Sequence, residues 1–159
     1  MKQKELITMR GTLSARAGDD HPTRIQLFDG RFDTGYRITK FIICPYDVDN
    51  TNVRNFTAKL SISPNVDTAQ SFDFNDNREI AWSWFAFDAN GRMDFVNEII
   101  DRDNIIIEDL WIFGWEVAGG TSGFFNYYIE AERVELTDAM GAVTMARNKA
   151  SRSGQTWTP

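Results

Sequence analysis

The feature that most constrains this chain is a succession of short apolar runs, each closed by turn residues, with no helical spacing before residue 137. Residues 5–15 form the first run. Residues 23–33 follow and contain Asp29-Gly30, a two-residue hairpin signal between apolar neighbours. Residues 36–48 alternate in part until Pro45, which ends the strand or places it near an edge. In 55–63 the alternation is clear: Phe56, Ala58, Leu60 and Ile62 point inward, while Thr57, Lys59 and Ser61 point outward. Further runs occupy 78–88, 93–100, 105–117 and 124–136, separated by the polar stretches "DANGR", "DRDN" and "AGGTSG".

Eight strands at such spacing, without intervening helices, predict an all-β fold. An antiparallel β-sandwich is expected, and eight strands suit a single jelly roll. An immunoglobulin-like sandwich is the alternative, but it is usually shorter and no cysteine pair marks it. After Leu136 the pattern changes. Thr137 or Asp138 can cap a helix, and Ala139, Ala142, Val143, Ala146 and Ala150 recur at helical spacing. The expected organisation is a sandwich over 1–136 and a C-terminal helix with a basic tail over 137–159.

Two strands are apolar on both faces. In "AWSWFAF", Trp82, Trp84 and Ala86 share one face, while Ala81, Ser83, Phe85 and Phe87 share the other. In 105–117, Trp111, Phe113 and Trp115 oppose Leu110 and Ile112. A buried Trp or Phe removes about 150–250 Å² from water. Several such rings on an outer face would equal the largest apolar patch usual on a monomer, so that face requires a cover. Three covers suggest themselves: the chain itself, through the helix at 139–150 or the N-terminal segment; a neighbouring subunit; or a sugar stacked on tryptophan. The sugar reading predicts Trp flanked by Asp, Asn and Arg. Trp82 and Trp84 are flanked by Ala, Ser and Phe, which suits packing better.

Charge narrows the partners. The chain carries −6 overall. Its last 21 residues hold Arg147, Lys149 and Arg152 and no acid, so the preceding 138 carry −9. Such a body does not suit duplex nucleic acid, and only the basic tail offers such a contact. Trp157, in the polar tail, reads as an anchor for a neighbouring subunit. The one cysteine, Cys44, allows no internal disulfide; in "FIICPY" it is expected to be a buried thiol. This fits a reducing compartment, a virion, or a secreted protein without bridges. No signal peptide is read at the N-terminus, and no run of 18 apolar residues suggests a membrane span.

Catalytic motifs are missing. The single histidine, His21, has no nucleophile-elbow context, and no Walker A loop, GxGxxG or CxxC occurs. Carboxylate pairs such as Asp19/Asp20, Asp47/Asp49, Asp73/Asp76 and Asp101/Asp103 read as turn chemistry rather than as a glycosidase pair. "DVDNTN" and "DFNDNRE" place Asp47, Asp49, Asp73, Asn75 and Asn77 at alternate positions, a weak calcium-loop pattern lacking its glycine. No cofactor is implied. "NFT" at 55–57 matches a glycosylation sequon without a secretion signal.

"IIIEDLWIFGWEV" followed by "NYYIEAERVELTD", within an eight-strand layout over 5–136, resembles the small jelly-roll minor or accessory capsid proteins of bacteriophages. The resemblance is one of organisation. It implies a non-enzymatic structural role in a virion, through contacts with copies of itself or with a major capsid protein. Many viral jelly rolls carry their basic arm at the N-terminus; here it is C-terminal.

Overall fold

The structure, a computed structural model, describes residues 5–15, 22–28, 30–46, 54–67, 71–87, 93–116 and 123–152. Among these lie eight strands and one helix: β1 (Leu6–Ala15), β2 (Thr23–Ile25), β3 (Thr34–Pro45), β4 (Arg54–Ser61), β5 (Glu79–Phe87), β6 (Met93–Ile100), β7 (Leu110–Glu116), β8 (Gly123–Glu135) and α1 (Asp138–Arg152). They build an antiparallel β-sandwich. One sheet has the order β1-β8-β3 and the other β2-β7-β4-β5-β6. Three nested pairs of a jelly roll are present: β1 with β8, β2 with β7, and β4 with β5. The fourth departs, because β6 bonds to β5 instead of β3. A side chain closes that corner: the Phe41 N–H donates to Glu98 Oε2 at 2.7 Å.

The core lies between the sheets. Ile38, Phe41, Ile43, Phe125, Ile129 and Ala131 meet Phe56, Ala58, Leu60, Phe85, Leu110 and Ile112. Gly114 is required by a close approach: a Cβ there would stand 2.3 Å from the Phe125 ring. In β3 a bulge at Thr39 resets the alternation. Tyr36 and Ile38 point inward before it; Phe41, Ile43 and Pro45 point inward after it. That phase puts Cys44 on the outer face, exposed, which corrects the expected buried thiol.

Two other expectations change. The 23–33 run yields a strand only at Thr23–Ile25, which pairs with β7 in the five-stranded sheet, whereas β3 belongs to the other sheet. The chain therefore crosses between layers, and Gly30, at φ +85°, serves a turn within that crossing rather than a two-residue hairpin. The 105–117 run forms a strand only from Leu110; before it, Ile106 and Tyr36 exchange two backbone hydrogen bonds of 2.8 Å.

Thr137 caps α1, its Oγ1 accepting the Met140 N–H at 3.3 Å. The buried stripe is Gly141 and Asn148, with Thr144 and Met145 half-buried; Ala142, Val143 and Ala146 are exposed. A Cβ at Gly141 would lie 2.5 Å from the Phe32 carbonyl oxygen, and Asn148 Nδ2 donates to Ile105 O at 3.3 Å. The helix thus packs on the β2–β3 and β6–β7 connections by close backbone approach and an amide bond. These contacts rotate its alanine face to solvent, opposite to the expected packing. No helix among the described residues is long and apolar enough to cross a membrane.

Because Gly114 faces the Phe125 ring, Gly114→Ala is expected to lower stability by about 1–3 kcal/mol through overpacking. Urea unfolding checks this; a variant as stable as the parent would contradict the packing.

Candidate functional site

The outward face of the five-stranded sheet is where the two doubly apolar strands meet. Cross-strand register sets its rows. Trp84, Thr57 and Trp115 form one; Ile99, Trp82, Lys59 and Phe113 form the next; Glu79, Ser61, Trp111 and Arg24 form the third. Aromatic rings therefore flank β4 on both sides, and a lysine stands at the centre. Lys59 does not reach water: it is fully buried, as is the carboxylate of Glu79 with which it pairs.

That pair holds down a loop. Lys59 Nζ donates to Glu79 Oε1 and to the Ser71 carbonyl at 3.0 Å, and lies 5.9 Å from the Phe113 ring centre. Glu79 Oε2 accepts the Trp82 indole N–H at 2.8 Å and the Asp73 N–H at 3.1 Å. The β4–β5 connection is thereby drawn over the sheet. Phe74 stands edge-on to Trp82 with centroids 4.6 Å apart, and Phe72 lies 6.2 Å from Trp84. Part of the second face is consequently covered by the chain itself. The covering segment is this connection, whereas α1 rests on the β2–β3 and β6–β7 connections.

The loop is stiffened from within. Asp73 Oδ1 accepts the Asn75 N–H at 2.9 Å, an Asx turn. Asp76 takes two bonds from the Arg78 guanidinium, 2.7 and 2.6 Å, and Arg78 Nη1 donates to Asn65 O at 2.8 Å. The Arg78 bonds hold the Asp76 carboxyl below its ordinary range, against a smaller upward push from burial. They raise Arg78 in turn.

The tryptophans differ in fate. Trp82 is only 5% exposed and belongs to the covered part. Trp84, Trp111 and Trp115 are half-buried, each keeping some ring surface in water. Beside Trp111, Arg24 Nε donates to Asp109 Oδ2 at 2.7 Å, while Asp109 Oδ1 is buried without a hydrogen-bond partner among the described residues. Phe74 and Ile99 are 61% and 42% exposed on this side.

Other candidate residues stand apart from this face. Arg147 and Lys149 are exposed on α1, and Arg152 is its last residue. Trp157, His21, Asp47 and Asp49 lie outside the described residues. Asp73, Asn75 and Asn77 are spent on the turn above or face solvent, and Asp101 accepts the Asp103 N–H at 3.1 Å in another such turn. Among the described residues no three His, Cys, Asp or Glu side chains gather so as to hold a metal ion. No known family, curated protein or solved structure matches this chain.

Sequence reasoning missed Lys59 and Glu79. Lys59 lies on the outward side of its strand, where a lysine ordinarily reads as solvated. A register shift skips Ile80, sending it to the core and turning Glu79 onto the outer face against simple alternation. The usable signal was Trp82, three residues beyond Glu79, since a buried indole N–H needs an acceptor.

Removing one member of a buried pair strands the other charge, so Lys59→Met and Glu79→Gln should each cost about 3–5 kcal/mol. In a urea double-mutant cycle the second substitution should add far less than its single cost; two small additive losses would contradict the pairing. A second expectation concerns acid. The folded Asp76 value lies below the ordinary 3.8, so its stabilisation is complete above that value and is lost as pH falls through the folded one. An NMR titration of the Arg78 Nε–H should show a midpoint under 3.8; a midpoint at or above it would contradict the clamp.

Proposed function

We propose that the chain is a non-enzymatic structural protein that assembles through its surfaces, acting as a capsid or capsid-associated component of a virion. One observation carries this reading: the partly open aromatic face. Trp84, Trp111 and Trp115 keep ring surface in water around the covered centre, and Phe74 adds a largely exposed ring above it. Large rings held on a rigid sheet lose little freedom on docking and are typical interface anchors. Their exposed surface supports a partner that supplies the rest of the cover. The partners would be further copies of the chain or a major capsid protein. Nucleic acid would be met only through the basic C-terminal segment that includes Arg147, Lys149 and Arg152. The virion setting is proposed from the resemblance of the sequence's strand layout to phage jelly-roll proteins.

A second reading is favoured by one corner of the same face. Trp111 has Arg24 directly across the ladder, and Asp109 holds that guanidinium. An aromatic ring beside an Arg–Asp pair suits a carbohydrate, stacking on the ring and bonding through its hydroxyls.

Because Trp111 and Trp115 are only half-buried, outside the core, Trp111→Ala and Trp115→Ala should leave the fold intact. Under the assembly reading they weaken association about thirtyfold or more, the scale of an interface hot spot. Sedimentation equilibrium of the full chain, alone and with the capsid proteins of its source particle, measures this. Unchanged association in both variants contradicts the aromatic interface. Glycan-array binding by the parent that disappears in folded Trp111→Ala, without self-association, replaces it with the carbohydrate reading.

A further inference from the structure

A second surface fitted to association lies on the other sheet, at the free edge of β1. This strand pairs with β8 along its whole length, from Leu6 opposite Glu132 to Ala15 opposite Gly123. The Arg133 N–H donates to Glu5 O at 2.9 Å, which sets the phase of the ladder. Odd-numbered residues bond to β8; Leu6, Thr8, Arg10, Thr12 and Ser14 turn their N–H and C=O groups away from it. Among the described residues no backbone hydrogen bond takes those outward groups.

The other edges are guarded, as sheet edges usually are. β2 has three residues. β3 is bulged at Thr39, plugged by Glu98 at Phe41 and bridged by Ile106 at Tyr36. β6 is bulged against β5 between Trp84 and Ala86. β1 has ten residues, no proline, no bulge and one charge, Arg10, which points outward. On its inner side Ile7, Met9 and Leu13 touch the core but are only partly buried. The edge strand of the opposite sheet, β2, is far too short to cover them.

We infer that β1 pairs antiparallel with β1 of a second copy about a two-fold axis, joining two three-stranded sheets into one of six strands. The sequence of β1 is complementary to itself in one in-phase register, centred on Gly11. There Met9 meets Leu13, Ile7 meets Ala15, Arg10 meets Thr12 and Thr8 meets Ser14. The inward Met9 and Leu13 find each other as apolar partners, and the one charge faces a hydroxyl. Thr8, Arg10, Thr12 and Ser14, whose backbone groups point outward, become the hydrogen-bonded pairs. A register centred on Arg10 would set two guanidinium groups face to face, which disfavours it. Glycine at the axis keeps the crossing point free of side chains, and the Tyr127 hydroxyl occupies that space, 2.8 Å from where a Cβ would be. This pairing rests on the reading of the chain as an assembly protein but uses none of its tryptophans.

The test is sedimentation equilibrium of the full chain and of Thr12→Pro, which removes one outward N–H at an edge where proline is tolerated. The parent is expected to dimerise, and the variant to do so about tenfold or more weakly with an unchanged circular dichroism spectrum. A register-specific cross-link stands beside it. In a Cys44→Ser background, chains bearing Arg10→Cys and chains bearing Thr12→Cys should form a mixed disulfide dimer and few like-with-like dimers. A monomeric parent, an equal dimerisation constant in Thr12→Pro, or like-with-like dimers as abundant as mixed ones would overturn the pairing. Association that responds to Trp111→Ala and not to Thr12→Pro keeps the assembly role and removes this edge. The converse keeps the edge and removes the aromatic interface.

Discussion

A lysine and a glutamate are enclosed on the side of the sheet that a two-layer sandwich would leave to solvent, and their pairing organises that side. Taking two charges out of water costs several kcal/mol per ion, and a buried pair rarely stabilises beyond what well-packed apolar residues would. The gain lies in what the pair holds. Glu79 ties together the Lys59 ammonium, the Trp82 indole N–H and the Asp73 amide, and Lys59 adds the Ser71 carbonyl. β4, β5 and the connection between them therefore converge on one carboxylate and one ammonium. With the loop fastened, Phe74 and Phe72 lie on Trp82 and Trp84. Burying a tryptophan ring contributes about 4–6 kcal/mol, comparable with the charge penalty it offsets.

The outer face of the three-stranded sheet mixes polar pairs with exposed apolar side chains: Thr12 bonds Asn126 at 2.7 Å, Tyr128 bonds Glu130 at 2.9 Å and Lys40 stands 3.8 Å from Glu130, while Leu6 and Phe124 are exposed beside them. The outer face of the five-stranded sheet is aromatic and only partly sheltered by its own loop. The ring surface left around Trp111 and Trp115 is the part that the proposed assembly would use. Surfaces of this kind favour a chain that is finished by its neighbours, and the unguarded β1 edge suits the same purpose on the opposite layer.

Alternation made the sandwich legible. Phe56, Ala58 and Leu60 announced β4, the runs before and after it marked the other strands, and Thr137 marked the start of the helix. What escaped notice has a common cause. Bulges at Thr39 and Ile80 change the phase of a strand without altering its composition, so Cys44 and Glu79 fall on faces that period-two reading does not give them. The stripe of α1 was misjudged because Gly141 and Asn148 bury themselves through backbone approach and an amide hydrogen bond, neither of which hydrophobic spacing registers. The sequence showed that the aromatic face needed covering; which segment covers it depends on pairing between residues twenty positions apart, Lys59 and Glu79.

Hydrogen exchange at the tryptophan indoles, followed by NMR on the intact chain, tests the central claim most directly. If the Lys59–Glu79 pair fastens the loop over the sheet, the Trp82 indole N–H exchanges on the order of a hundredfold more slowly than those of Trp111 and Trp115. Exchange of Trp82 at the same rate as its half-buried neighbours would contradict the account.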